Sequence, residues 1–350
     1  MRFEEAFAFA ETLIANLAPE IVTPQALPAG GEVIPPPRVG VGVSLPQDVK
    51  PSPKAFRVAI RAWSQEDLKN PLLHNLNKIG REETDIRITG QISAPPPPFV
   101  QNHIARTQSN VSAGSKYARE QRPLQIGYSV GHPNVTAGTI GCFVRKEDSS
   151  HGKSASSDAL MILSNNHVLA NSNSAKIGDR IFQPGPWDNG EQKHEVGNLS
   201  RFVRLRPQGT NLVDAAIASI DAACQPTNLE IPEIGPINGA WKEDGDELRR
   251  RISEESPFVE KVGRTTGRTQ GRANAVLISL PVSYDGIIYR FKDVIEVLGE
   301  TSSFSEGGDS GSLVVDADRK AVGLLFAGDG SATYLNPIRY VIDAFGVVIV

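Results

Sequence analysis

A mainly β fold is predicted: two β-barrels packed face to face across a cleft, a small N-terminal α+β domain before them and a C-terminal helix after. Three observations predict it. From residue 136 onward short apolar runs alternate with turns rich in Gly, Pro, Asn and Asp, the texture of an all-β barrel protein. The residues that look chemical are split across that stretch, His167 and Asp214 in its first half and Ser310 in its second, as a site at the junction of two barrels requires. Two proline runs, Pro35 to Pro37 and Pro95 to Pro98, cannot join a sheet interior and set the first part of the chain apart.

Taken in order, residues 1–18 read as an amphipathic helix, succeeded by a linker containing Pro24, Pro28 and the first proline run. Val39 to Leu45 and Ala55 to Arg61 alternate as strands do, Gln65 to Lys78 reads as a helix, and Asp85 to Thr89 returns as a strand. These make an α+β module over 1–120, which the second proline run and the polar stretch 101–121 tie loosely to the rest of the chain. Residues 121–350 are then the second domain, with barrel 1 at about 136–225, a connector at about 226–258 and barrel 2 at about 259–350. The connector carries a charged helical piece near Asp244 to Ser253, and the last helix spans Pro337 to Phe345.

Composition narrows the function classes. The 350 residues are 39% hydrophobic and 22% charged, ordinary for a globular protein. A net charge of −4 gives no basic footprint for nucleic acid, and no Lys/Arg block suggests a membrane surface. No stretch is long and apolar enough to span a bilayer. Cys142 and Cys224 are the only cysteines, and the N-terminus opens on acidic residues with Glu11 breaking its apolar run, which is unlike a signal peptide. Together these favour a cytoplasmic location. The histidines at 74, 103, 132, 151 and 194 lack metal-ligand spacing, so no metal or cofactor is expected. Gly263 to Gly271 lacks the Gly-Lys-Ser/Thr ending of a phosphate loop, and Trp63, Trp187 and Trp241 read as packing residues.

The chemistry sits in Gly308-Asp309-Ser310-Gly311-Ser312, which leads directly into the apolar Leu313-Val314-Val315. Glycines on both sides of Ser310 let the backbone bend tightly and a substrate carbonyl approach, so that the amides of Gly308 and Ser310 can both point at its oxygen. His167 ends the apolar run Leu160 to Leu163 after a short polar break. Asp214, in Leu212-Val213-Asp214-Ala215-Ala216, is a lone carboxylate among residues that bury themselves, and an imidazole N–H would satisfy it. His167 as base, Asp214 as its partner and Ser310 as nucleophile make a catalytic triad.

The order His, Asp, Ser resembles that of the chymotrypsin (trypsin-like) superfamily of serine proteases, over roughly residues 123–350. Thr136 to Cys142, Ser164 to Ala170, Gln183 to Pro186 and Val262 to Gly267 narrow the likeness to bacterial-type and plant members without disulfides. The resemblance implies a chymotrypsin-like pair of barrels and a serine endopeptidase of protein or peptide substrates. It also implies that Arg264 pairs with Asp309 to hold the oxyanion loop, and that the loop needs no zymogen cleavage. By the same resemblance Phe304, Ser305 and Glu306 line the substrate pocket with the strand residues Phe326, Ala327 and Gly328, an arrangement favouring an apolar, small or medium side chain, with Glu306 as an alternative selector of basic ones. Residues 1–120 would gate the cleft, recruit a regulatory partner or add stability. The rival expectation is a protease-fold binding or regulatory module that does not turn over; esterase activity alone is a third.

Overall fold

The computed structural model describes residues 1–17, 38–44, 54–70, 73, 80–94, 115–147, 159–241 and 258–350. Helix α1 (Phe3–Leu17) buries Phe3, Ala6, Ala10, Leu13 and Leu17, a three-and-four spacing that lays one apolar face on the next two strands. These are β1 (Val39–Ser44) and β2 (Arg57–Ala62), with β3 (Thr84–Ile88) parallel to β2. In the segment expected to be helical from Gln65, the described residues show a 3-10 turn at Asp67–Lys69 and 3-10 conformation at Leu73; residues 71, 72 and 74–79 lie outside the described residues. The Asp244 to Ser253 piece also lies outside them.

Next come β4 (Ser129–Val130), β5 (Gly138–Thr139), β6 (Cys142–Lys146), β7 (Met161–Ser164), β8 (Arg180–Phe182), β9 (Glu195–Phe202), β10 (Thr210–Asn211) and β11 (Ala216–Ser219), with the short helix α2 (Asn166–Leu169) after β7. The C-terminal part adds β12 (Phe258–Gly263), β13 (Gly267–Tyr284), β14 (Ile287–Gly299), β15 (Leu313–Asp316), β16 (Ala321–Gly328), β17 (Ala332–Pro337), helix α3 (Ile338–Phe345) and β18 (Val347–Ile349). The fold is mainly β.

Two sheets carry the site. One runs β18-β6-β7-β11-β9-β8, so the last strand of the chain returns to pair with β6. In the other, β13 pairs with both β12 and β14, so pairing closes on itself through β12, β13, β14, β17, β16 and β15. Apolar alternation is nearly absent from β15 and β16, whose residues are buried on both faces apart from Gly328. Helix α3 buries Ile338, Val341, Ile342 and Phe345 and stops at Gly346, whose φ of 62° lets its N–H reach the Ile342 carbonyl at 2.9 Å.

The N-terminal strands do not form a sheet of their own. β1 pairs with β13 along Val41–Ser44, so β1, β2 and β3 continue the larger sheet. Close contact makes this possible: a methyl at Gly42 would lie 2.7 Å from Ile278 Cγ1 and 2.8 Å from the Val276 carbonyl oxygen. Arg61 fastens the junction. Fully buried, it donates to Glu296 of β14 at 2.5 and 2.8 Å and to the Asp85 carboxylate of β3 at 2.7 Å.

Candidate active site

Helix α2 comes straight after β7 without a loop, so His167 projects from a strand end fixed by the sheet. Asp214 lies just before β11, the neighbour of β7, which brings the two residues together. His167 Nδ1 and Asp214 Oδ2 are 2.5 Å apart, and the His167 backbone N–H donates to Asp214 Oδ1 at 3.2 Å. Asn165 donates to the Asp214 carbonyl at 2.7 Å, while the Asp214 N–H donates to Asn336 Oδ1 at 2.8 Å. Both side chains are buried. A carboxylate only accepts, so Nδ1 carries the ring proton and Nε2 presents its lone pair.

Tyr284, near the end of β13, donates its hydroxyl to Asp214 Oδ2 at 2.7 Å and stands edge-on to the imidazole, centroids 5.9 Å apart. Burial, reinforced by the Asp214 charge, pushes its phenol well above the ordinary range, so the hydroxyl stays a donor. Three donors thus meet one buried carboxylate, each worth about 1.5–3 kcal/mol as a bond to a charged group. Sequence reasoning missed Tyr284, because its only signal is a polar tip on an apolar strand and its partner is 70 residues away. We expect Tyr284→Phe to lower kcat about tenfold while KM holds and the melting temperature falls by only a few degrees. A change in KM with unchanged kcat would refute the assignment.

Ser310 sits in the turn before β15. Gly308 has φ 100° and Gly311 φ 92°, conformations that a side chain would strain. Around it Asp309, Gly311 and Ser312 donate their amides to Glu306, Leu325 and Asp309 carbonyls at 3.0, 2.8 and 3.0 Å. Among the described residues the amides of Gly308 and Ser310 donate to nothing. The loop meets the His167 helix at Gly138: a methyl there would lie 2.4 Å from Val168 Cγ2 and 2.9 Å from the Ser310 carbonyl oxygen. His167 Nε2 is buried without a hydrogen-bond partner, so the His167–Ser310 bond is open in this state.

The support of the loop differs from the expectation. Arg264 does not pair with Asp309; its Nε donates to Asp188 Oδ2 at 2.8 Å, and its NH2 group completes a bidentate pair with the same carboxylate. The cation on Asp309 is Lys261, 3.2 Å from Oδ2, with both side chains fully buried. Asp309 Oδ1 also accepts from the amides of Thr265 and Thr266 at 2.8 and 3.1 Å, and Oδ2 from the Thr266 hydroxyl at 2.7 Å and the Glu306 amide at 3.1 Å. Both cations precede or sit in one tight loop, and sequence order alone does not say which turns inward. A lysine inside the strand run Phe258-Val259-Glu260-Lys261-Val262, where a buried charge needs a partner, was the available signal.

The six pocket candidates differ in their surroundings, with Ser305 and Gly328 side by side, a methyl at Gly328 lying 4.0 Å from Ser305 Oγ. Phe304 is buried in one apolar cluster with Lys261 over its ring, and Phe326 and Ala327 are buried in another, Phe326 against Phe291 with centroids 4.7 Å apart. The Ser305 hydroxyl is bonded to that of Thr333 at 2.6 Å and Glu306 is exposed. Gly328 exchanges backbone hydrogen bonds with Ser93. No group of His, Cys, Asp or Glu able to hold a metal occurs among the described residues, nor does any helix there that is long and apolar enough to cross a membrane.

No family model matches the chain, and no curated protein matches it. Solved structures do. Thermobifida fusca protease A is 17% identical with a TM-score of 0.42, covering 64% of this chain and 97% of its own. The Nocardiopsis protease gives 15% and 0.42 over the same shares, and Cellulomonas bogoriensis chymotrypsin 14% and 0.40, again over 64% and 97%. Cys142 and Cys224 are both free and buried. The structures this chain is similar to are bacterial trypsin- and chymotrypsin-like serine proteases.

Proposed function

We propose that the chain is a serine endopeptidase acting through His167, Asp214 and Ser310, with the amides of Gly308 and Ser310 as its oxyanion hole. The observation that carries this reading is the buried Asp214–His167 pair, its Nε2 unpartnered, beside a serine loop in which the two amides flanking Asp309 donate to nothing among the described residues. A structural role for these groups has no use for an orphaned ring nitrogen or free amides at one turn.

In the first half-reaction the Ser310 hydroxyl oxygen bonds to the substrate carbonyl carbon while its proton passes to His167 Nε2. The carbonyl π pair moves to oxygen, where the two amides receive it, and Asp214 holds the imidazolium that has formed. Collapse breaks the C–N bond, the leaving amine takes the proton from Nε2, and an acyl ester on Ser310 remains. Water then attacks that ester, giving its proton to Nε2, and the same steps reversed in role return Ser310 and release the acid. Closing the His167–Ser310 gap belongs to substrate binding, since such bonds tighten only in the Michaelis complex.

A fluorophosphonate probe tests the reading directly. Unprocessed full-length protein is expected to label, and Ser310→Ala to lose labelling and peptide hydrolysis together. An unlabelled wild type would favour the non-catalytic binding module; equal labelling of the variant would place the nucleophile elsewhere. Ester turnover without peptide cleavage would restrict the activity to esters.

A further inference from the structure

We propose that Ile92–Ala94 lies where a peptide substrate must lie, so that the chain restrains its own proteolysis by filling the strand edge beside Ser310. The inference rests on the endopeptidase reading.

An extended peptide held with one carbonyl at Ser310 needs backbone partners for its flanking residues, and the nearest source is an open sheet edge. β16 supplies it. Leu325 marks the last residue paired on that side by the serine loop, its carbonyl accepting from Gly311 at 2.8 Å and its amide donating to Ser312 at 3.0 Å. β16 then runs on through Phe326, Ala327 and Gly328, past the point where the loop turns toward Ser310. The edge vacated there begins beside the nucleophile.

The Gly328 end of that edge is taken by the chain itself. Ser93 donates to the Gly328 carbonyl and accepts from the Gly328 amide, both at 3.1 Å, an antiparallel pair. On the other side Ala94 donates to Ser283 at 3.1 Å and Ser283 donates to Ile92 at 2.9 Å, so the segment is held between β16 and the end of β13. Side chains alternate as in a bound strand: Ile92 and Ala94 are buried in the cluster containing Phe326, Ala327, Tyr284 and Tyr289, and Ser93 is exposed. Being antiparallel to β16, the direction from Ser93 to Ala94 heads toward Leu325 and the serine loop. The sequence continues with Pro95 to Pro98, which carry no amide hydrogen and so have none to give to a ladder. Tethering makes the occupant effective, because an attached segment competes at a local concentration of about millimolar. The same edge therefore selects an extended peptide whose alternate side chains are apolar, in the register of Ile92 and Ala94.

Ser93→Pro in the full-length chain deletes the N–H given to Gly328. With a fluorophosphonate lacking a peptide arm, wild type and variant should label at the same rate, while KM for an extended chromogenic peptide falls tenfold or more in the variant. Equal labelling with peptide KM unchanged or raised overturns the inhibitory role and leaves the protease reading intact. No labelling of wild type removes the protease reading, and this inference with it. Should the variant misfold, hydrogen exchange on wild type decides. The Ser93 and Ala94 amides should lose protection when a peptidyl boronate binds and keep it when a boronate without peptide binds. Protection unchanged by the peptidyl form, or lost equally with both, overturns the proposal.

Discussion

Asp214→Asn is expected to lower kcat about 10,000-fold, the scale seen when a triad carboxylate is neutralised without changing its shape. The geometry dictates the cause. The His167 backbone N–H, 3.2 Å from Oδ1, cannot rotate, so an amide must turn its oxygen there to avoid opposing two donors. Its NH2 then occupies the Oδ2 position, facing His167 Nδ1 at 2.5 Å and the Tyr284 hydroxyl at 2.7 Å. The hydroxyl can rotate to accept. The imidazole can accept only by moving its proton to Nε2, which leaves no base for Ser310. Steady-state kinetics on a peptide substrate, with the melting temperature measured alongside, checks this. A loss under about tenfold in a folded variant would mean that His167 does not depend on Asp214, and the proposed triad would not stand.

The meeting of Asp214 with His167 was legible because each sits where sequence and burial disagree. An aspartate between Val213 and Ala215, and a histidine closing an apolar strand, have to find polar partners, and each finds the other. The serine turn was legible through Gly308 and Gly311, whose positive φ values few other residues tolerate. What sequence did not reveal depends on contacts across long separations. Lys261 and Arg264 are equivalent as charges, and only the path of β12 puts the lysine under the loop and leaves the arginine on Asp188. Strand alternation likewise marked Val39 to Leu45 and Ala55 to Arg61 as strands, and β1 and β2 formed there, yet a separate N-terminal sheet was a natural reading because nothing local marks a strand's neighbour. Gly40 and Gly42 were the hint, since small residues at alternating positions let another backbone approach, here β13. The pocket rests on a position count before Ser310, and that count lands on Phe304, whose side chain packs in the core.

Lys261→Met is the second large effect expected, and it separates the two cations. Removing one member of a fully buried pair leaves Asp309 charged and uncompensated, a cost of about 3–5 kcal/mol, against which the retained Thr265, Thr266 and Glu306 donors offer only partial relief. Because Asp309 stands between Gly308 and Ser310, loosening it also moves the two amides proposed to receive the oxyanion, where losing one donor costs kcat about 100- to 1,000-fold. Arg264→Met should cost much less in kcat, since its carboxylate partner is Asp188. Adding Asp309→Asn to Lys261→Met should restore part of the stability, as a neutral pair no longer buries a lone charge. Alkali should reproduce the loss of activity in wild type, and not the loss of stability: burial pushes the Lys261 amine below its ordinary value against the opposing Asp309 charge. The folded protein therefore releases this proton at a pH where the unfolded chain still holds it. The contribution of this group to stability rises with pH through that window, up to the unfolded value, and is lost as pH falls back through the folded one. Activity should move the opposite way, falling as Asp309 loses its counter-charge. Parallel pH profiles of kcat and of denaturant midpoint for wild type and both single variants would show this divergence in wild type and Arg264→Met and not in Lys261→Met. If Arg264→Met instead lost more kcat than Lys261→Met, the arginine would be the true support of the loop.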